Sequence, residues 1–233
     1  MSALRAAAKT KDLIEDKRPS APRRPLQQRS QERVQKLLDA TDKLLSKQDA
    51  SEVGLYDIAK AAKVPPSSVY HFFPTKEAAF AALAERYLKR LYAATRETQF
   101  NDPRIKKWQD VFVLSSRLCI EFYNNNPVVL KLFFGAGVTP EIRQRDAEYL
   151  RALSADGYNW LDRFFYMPDI PNSETKFTVV WSIFDGITNT SYQRHGCVTQ
   201  ELHEEMVSAV IAYCGTFLPK TLRRRTAPIG SKK

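Results

Sequence analysis

The stretch Leu55 to Glu77, LYDIAKAAKVPPSSVYHFFPTKE, constrains this chain most. Ile58, Ala59 and Ala62 place small and apolar residues at i, i+1 and i+4, which suits the buried side of a short helix. Val64-Pro65-Pro66 cannot extend that helix. Pro65 disfavours helical geometry at Val64, whereas a proline is well placed in a helix's first turn. Ser67 to Phe73 then supplies two more turns, and Pro74 stops them. Thr75 reads as the N-cap of a third helix with Lys76 and Glu77 in its first turn. Two short helices joined by a tight turn form a helix-turn-helix, whose second helix enters a DNA major groove.

The spacing Asp57-Ile58-Ala59, Ala61-Ala62, Val64, Val69-Tyr70, Phe73 and Lys76-Glu77 resembles the DNA-binding domain of TetR-family regulators, over roughly Arg29 to Leu83. Two positions depart from the family pattern. Lys63 stands in the turn where the family usually has Gly, a position that often needs positive φ. Gly54 stands at the N-cap where Thr or Ser is usual, a cap weaker by roughly a few tenths of a kcal/mol. The resemblance implies an all-α fold. A three-helix DNA-binding domain at 29–80 precedes a helical effector-binding and dimerisation domain at 81–219. It further implies a cytoplasmic homodimeric repressor, released from a palindromic operator in double-stranded DNA by a small molecule. The alternative is a TetR-like helical interaction protein that does not respond to a small-molecule ligand.

The net charge of +10 is unevenly placed. Residues 1–29 carry +5 and residues 220–233 carry +6, which leaves the 190 residues between them at −1. Both ends, a basic arm at 1–28 and a basic tail at 220–233, are therefore expected to be loosely held and attracted to polyanions. Arg18, Arg23, Arg24 and Arg29 lead straight into the DNA-binding helices. A 43% hydrophobic content, with 11% aromatic, suffices for a real core. No apolar run of about 18 residues suggests a membrane span, and the opening residues lack the apolar centre of a signal peptide. Cys119, Cys197 and Cys214 are odd in number without metal-like spacing, and read as buried reduced thiols.

Helical periodicity and stop signals predict the remaining elements. A first helix runs from about Ser30 to Lys47, with Val34, Leu37, Leu38, Thr41, Leu44 and Leu45 on one stripe. The helix after Thr75 could reach Thr98. Asp102-Pro103 reads as the cap and start of a helix to Asn124, and Pro127 to Phe134 as a short apolar one. Thr139-Pro140 opens a helix that could reach Tyr166. Ser173 caps one from about Glu174 to Gln193, and Thr199 caps the last, to about Leu218. No period-two alternation predicts a sheet.

No enzyme is expected. There is no P-loop, dinucleotide glycine fingerprint or nucleophile elbow. His195 and His203, beside Glu204 and Glu205, lack metal-motif spacing and read as a solvated helix N-terminus. No cofactor and no metal are expected. At the DNA, Pro66, Ser67, Ser68, Tyr70 and His71 are the candidates for base edges by position. Ser specifies weakly because it pairs with several bases. Tyr70 also resembles the family tyrosine that reaches the backbone or bases. Lys76 at a helix N-terminus, with Thr75 beside it, suits a phosphate, and Tyr56 is a phosphate neighbour. Val69 and Phe73 are core.

Aromatic residues are dense between Pro103 and Phe165. Helical bundles place ligand sites between facing helices in mostly apolar cavities. Phe112, Ser115, Cys119, Tyr123, Trp160, Phe164 and Trp181 are accordingly the candidates for an apolar or aromatic effector. The resemblance implies that the last two helices form a four-helix interface with a second copy. Phe177, Trp181, Phe184, Met206, Val210, Tyr213 and Phe217 are the candidates there.

Overall fold

The computed structural model describes residues 25–96, 101–135 and 137–227. Among them the chain forms nine helices: α1 (Pro25–Leu45), α2 (Leu55–Ala62), α3 (Pro66–Phe72), α4 (Lys76–Arg96), α5 (Trp108–Asn125), α6 (Pro127–Phe134), α7 (Pro140–Asp162), α8 (Ser173–His195) and α9 (Gln200–Cys214). The fold is all-α, with a helix-turn-helix domain followed by a helical C-terminal domain. A single antiparallel bridge, Phe165 with Arg224, is the extended pairing seen among the described residues. None of the described helices is long and apolar enough to cross a membrane. The described residues divide into two compact units. Residues 25–89 with 126–146 make the N-terminal unit, and residues 90–125 with 147–227 the helical body.

In the N-terminal unit, Leu37, Leu38, Thr41 and Leu45 of α1 are buried, with Val34 and Leu44 half-buried. The Thr41 hydroxyl donates to the Leu37 carbonyl at 2.8 Å, so the one polar group on the stripe is satisfied. Helix α1 begins at Pro25 rather than Ser30, because a proline fits a first helical turn. Two lysines hold the connection from α1 to α2. Lys131 Nζ of α6 donates to the Leu45 and Gln48 carbonyls at 2.9 and 3.3 Å. Lys76 Nζ donates to those of Ala50 and Ser51 at 3.3 and 3.2 Å. A cation there also complements the negative end of α1.

In the helical body, Trp108, Val111 and Phe112 of α5 pack with Leu161, Phe164, Phe165, Phe177, Val180, Val210 and Cys214 in one core. Gly157 sets the approach of α7 to α8. A Cβ on it would lie 2.4 Å from Cγ and 2.8 Å from Cβ of Phe177. Helix α5 starts at Trp108 rather than Pro103. Arg104 captures the Asp102 carboxylate at 2.7 Å and holds its pKa down at about 2, which makes a turn of the expected cap. The Asp110 carboxylate instead accepts the backbone N–H of Lys106 and Lys107 at 2.8 and 2.9 Å, reaching back as an N3 acid does.

Other boundaries shift too. Helix α7 ends at Asp162 rather than Tyr166, and α9 at Cys214 rather than Leu218. Asn172, in the left-handed region at φ 54°, precedes α8 in place of a Ser173 cap. Thr75, Thr139 and Thr199 do cap α4, α7 and α9, accepting from Ala78, Ile142 and Leu202 N–H groups. The clearest departure is the basic tail, because residues 219–227 form an ordered strap. Trp108 Nε1 donates to the Pro219 carbonyl at 2.9 Å, and the Tyr166 N–H to that of Arg223 at 2.9 Å. Arg225 grips Asp162 through the carbonyl and Oδ1, both at 2.5 Å. Residues 228–233 and the arm at 1–24 lie outside the described residues.

Candidate nucleic-acid interface and helical-body site

Helix α2 ends as its sequence demands. Lys63 sits at φ 55°, ψ 46°, the left-handed conformation its place in the turn requires. The Val64 N–H donates to the Ala59 carbonyl at 3.1 Å and the Lys63 N–H to that of Lys60 at 3.2 Å, closing the helix in a Schellman pattern. A lysine there costs about 1 kcal/mol relative to an unstrained conformation. At the other end Gly54 offers no side-chain cap. Asp57 Oδ2 accepts the Gly54 N–H at 3.0 Å, the half of a capping box that needs no N-cap side chain.

Val69 and Phe73 of the recognition segment are buried, which turns the opposite face of α3 to solvent. Pro66, Ser67, Tyr70 and His71 are exposed on it, and Ser68 is half-buried. The His71 ring meets Phe72 edge-on at 5.1 Å. Tyr70 is 58% and Tyr56 67% exposed; with Tyr166 they are the large hydrophobic side chains left to solvent among the described residues. Thr75 is exposed beside them. Lys76 is half-buried with its ammonium turned to the Ala50 and Ser51 carbonyls, which leaves one donor over for a phosphate. Arg29 lies within α1, and its side chain is outside the described residues.

In the helical body three expected effector residues meet. The Phe112 and Trp160 rings are 5.2 Å apart, and the Trp160 and Trp181 rings 6.1 Å. Trp181 Nε1 is buried with no hydrogen-bond partner among the described residues. Asp185, one turn along α8, has its pKa raised by burial. Ser115, Cys119 and Tyr123 recur every four residues on α5 and so share a face. Burial raises the Cys119 thiol to about 12, against a hydrogen bond from Tyr123. Phe164 belongs to the core.

Of the residues expected at a dimer surface, Phe177, Met206 and Val210 are buried within their own unit. Trp181, Phe184, Tyr213 and Phe217 are half-buried. His203 is buried rather than solvated, because Nε2 pairs with Ser116 Oγ at 2.9 Å across α9 and α5. Asp185, Thr188 and His203 were legible only once α8 and α9 had been placed. Cys197 is half-exposed, whereas Cys119 and Cys214 are buried. No three His, Cys, Asp or Glu side chains among the described residues group as metal ligands would.

Residues 37–83 match the family model described as bacterial regulatory proteins, tetR family. No curated protein matches the sequence. Solved structures do. A TetR-family transcriptional regulator from Streptomyces coelicolor is 23% identical, covers 80% of this chain and 98% of its own, and superposes with a TM-score of 0.59. A TetR transcription regulator from Haloarcula marismortui is 16% identical over 81% and 99%, with a TM-score of 0.57. RolR in complex with the ligand resorcinol is 15% identical over 79% and 88%, with a TM-score of 0.55. At these identities the likeness is one of fold. Residues 37–83 thus match the DNA-binding domain of the TetR family, and the chain has the fold of solved TetR-family regulators.

Proposed function

We propose that the protein is a ligand-responsive transcriptional repressor, which binds a palindromic operator as a homodimer and leaves it when a small molecule binds the helical body. One observation carries the DNA reading. Tyr56 and Tyr70 are held out to solvent on a helix-turn-helix whose inner face is closed by Val69 and Phe73. A tyrosine has an apolar body and a hydroxyl, and both suit a sugar-phosphate edge. Fluorescence anisotropy on the gene's own upstream region tests it. Tyr70→Ala should lower affinity at least about tenfold, one good contact's worth of roughly 1.4 kcal/mol. Unchanged affinity would sink the reading.

The effector reading rests on Phe112, Trp160 and Trp181 and on the buried indole N–H. A buried donor without a partner costs about 1–3 kcal/mol. An aromatic ligand that presents an oxygen to Trp181 would recover that cost. RolR, of this fold, is bound to resorcinol, a ligand of that type. To release DNA, the ligand must bind the free form more tightly than the bound form. A melting screen of small phenols would find it, and Trp181→Phe should weaken the hit while sparing operator affinity. The dimer reading is supported by Phe184 and Tyr213, half-buried on the last two helices, and by Phe217 just past them. Sedimentation that showed a monomer with full operator affinity would overturn it.

A further inference from the structure

The cations of residues 219–227 do not hang from a loose tail, and their position creates a surface in the helical body. Trp108 Nε1 on the Pro219 carbonyl and Gln109 Nε2 on the Lys220 carbonyl, at 2.9 and 3.3 Å, lay the strap against the start of α5. Lys106 and Lys107 immediately precede that start. The Phe165–Arg224 bridge and the Tyr166 N–H on the Arg223 carbonyl hold the next residues along the end of α7. Arg224 reaches the field of Asp102, whose carboxyl it helps to keep ionised. Lys106, Lys107, Lys220, Arg223 and Arg224 thus occupy one side of the body.

Three acids beside this side are already committed. Asp102 is paired with Arg104, Asp162 with Arg225, and Asp110 accepts two backbone N–H groups. Lys106, Lys107, Lys220 and Arg223 are exposed, and none has a carboxylate of the described residues within ion-pair distance. Arg223 and Arg225 both stand over the Tyr166 ring, 5.1 and 4.3 Å from its centroid, which restrains the Arg223 guanidinium.

We propose that this strap-built basic surface is a second, sequence-independent binding site for double-stranded DNA, separate from the recognition helix. Like-charged groups are held at fixed positions on ordered backbone, so engaging a polyanion costs little ordering entropy. The surface offers planar guanidinium alongside ammonium, the pair that phosphate backbones take. It offers no apolar anchor beyond Tyr166, which the two arginines already hold, and so it lacks the buried apolar face of a membrane-surface site.

The test uses the full chain and a random-sequence duplex, so that it does not depend on the operator reading. The variant K106Q/K107Q/K220Q/R223Q leaves Trp108, Asp162 and Arg225 in place. Its melting curve should stay that of the parent. Each phosphate contact contributes about 0.9 to the slope of log K on log salt. The parent should therefore lose roughly 100-fold more affinity than the variant between about 50 and 200 mM salt. The same loss should occur in a Tyr56→Ala/Tyr70→Ala background. Parallel slopes for parent and variant would overturn the proposal. So would a variant defective only on phosphatidylserine vesicles, which would make the surface a membrane site. If the operator reading failed but the variant still flattened the slope on random duplex, this inference would stand alone.

Discussion

The N-terminal unit and the helical body solve the same problem, packing amphipathic helices, by different means. In the N-terminal unit most polar groups are closed by partners within the unit, Arg86 Nε being a buried exception among the described residues. Thr41 bonds its own turn, Asp57 reaches back to Gly54, and two lysines cover the carbonyls between Leu45 and Ser51. Its large exposed side chains, Tyr56 and Tyr70, face outward. The helical body carries its unspent groups inside. Trp181 Nε1 and Thr188 Oγ1 are buried without a partner among the described residues, and the aromatic rings meet in pairs around Trp160. On the proposed function, a surface for a fixed partner such as DNA can be rigid and finished, whereas an interior for an occasional small ligand tolerates polar atoms that the protein alone does not satisfy.

The contrast can be broken most severely at Gly157. Gly157→Ala drives a methyl into Phe177, an overpacking that should cost about 3 kcal/mol, at the upper end for a well-packed core. Thermal melting should show the loss, and the double variant with Phe177→Leu should recover part of it. Next comes Lys131→Met, which keeps the aliphatic stem and removes the ammonium from the Leu45 and Gln48 carbonyls. Hydrogen bonds to a charged group are worth about 1.5–3 kcal/mol, less where water can replace them, so a loss of about 1–2 kcal/mol is expected by urea titration. A loss below about 0.5 kcal/mol would show the clamp to be ornamental.

Lys63→Gly should act in the opposite direction. It removes left-handed strain at φ 55° but frees the unfolded chain, for a net gain of about 0.5 kcal/mol at unchanged denaturant slope. The smallest effect is a pH dependence in the helical body. Burial first, then the charge of Arg117, holds the His203 pKa below its ordinary value. The folded state therefore binds its proton less readily than the unfolded state does. Stability should be fully present above pH about 6.5 and decline as pH falls from there toward the lowered pKa. His203→Gln, which can still reach Ser116, should flatten that decline in a melting series.

Residues close together in the chain were the legible ones. The helix-turn-helix, its proline stop, the left-handed Lys63 and the threonine caps follow from steric and hydrogen-bonding rules that act over four or five residues. The all-α class follows from periodicity in the same way. Tertiary structure alone decided whatever depends on residues far apart. The tail at 220–227 looked like a solvated cation run because nothing near it in sequence explains order. Its partners, Trp108, Asp162 and Tyr166, are more than fifty residues away. One miss was local: Asp102 looked like a helix cap, but Arg104, two residues on, took its carboxylate and Asp110 took over the helix start. His203 looked solvated on its own helix and became buried only when Ser116 met it across another. Phe177, Met206 and Val210 follow the same rule. An apolar helical stripe shows that a face will be covered, and the packing of the other helices chooses between its own subunit and a second copy.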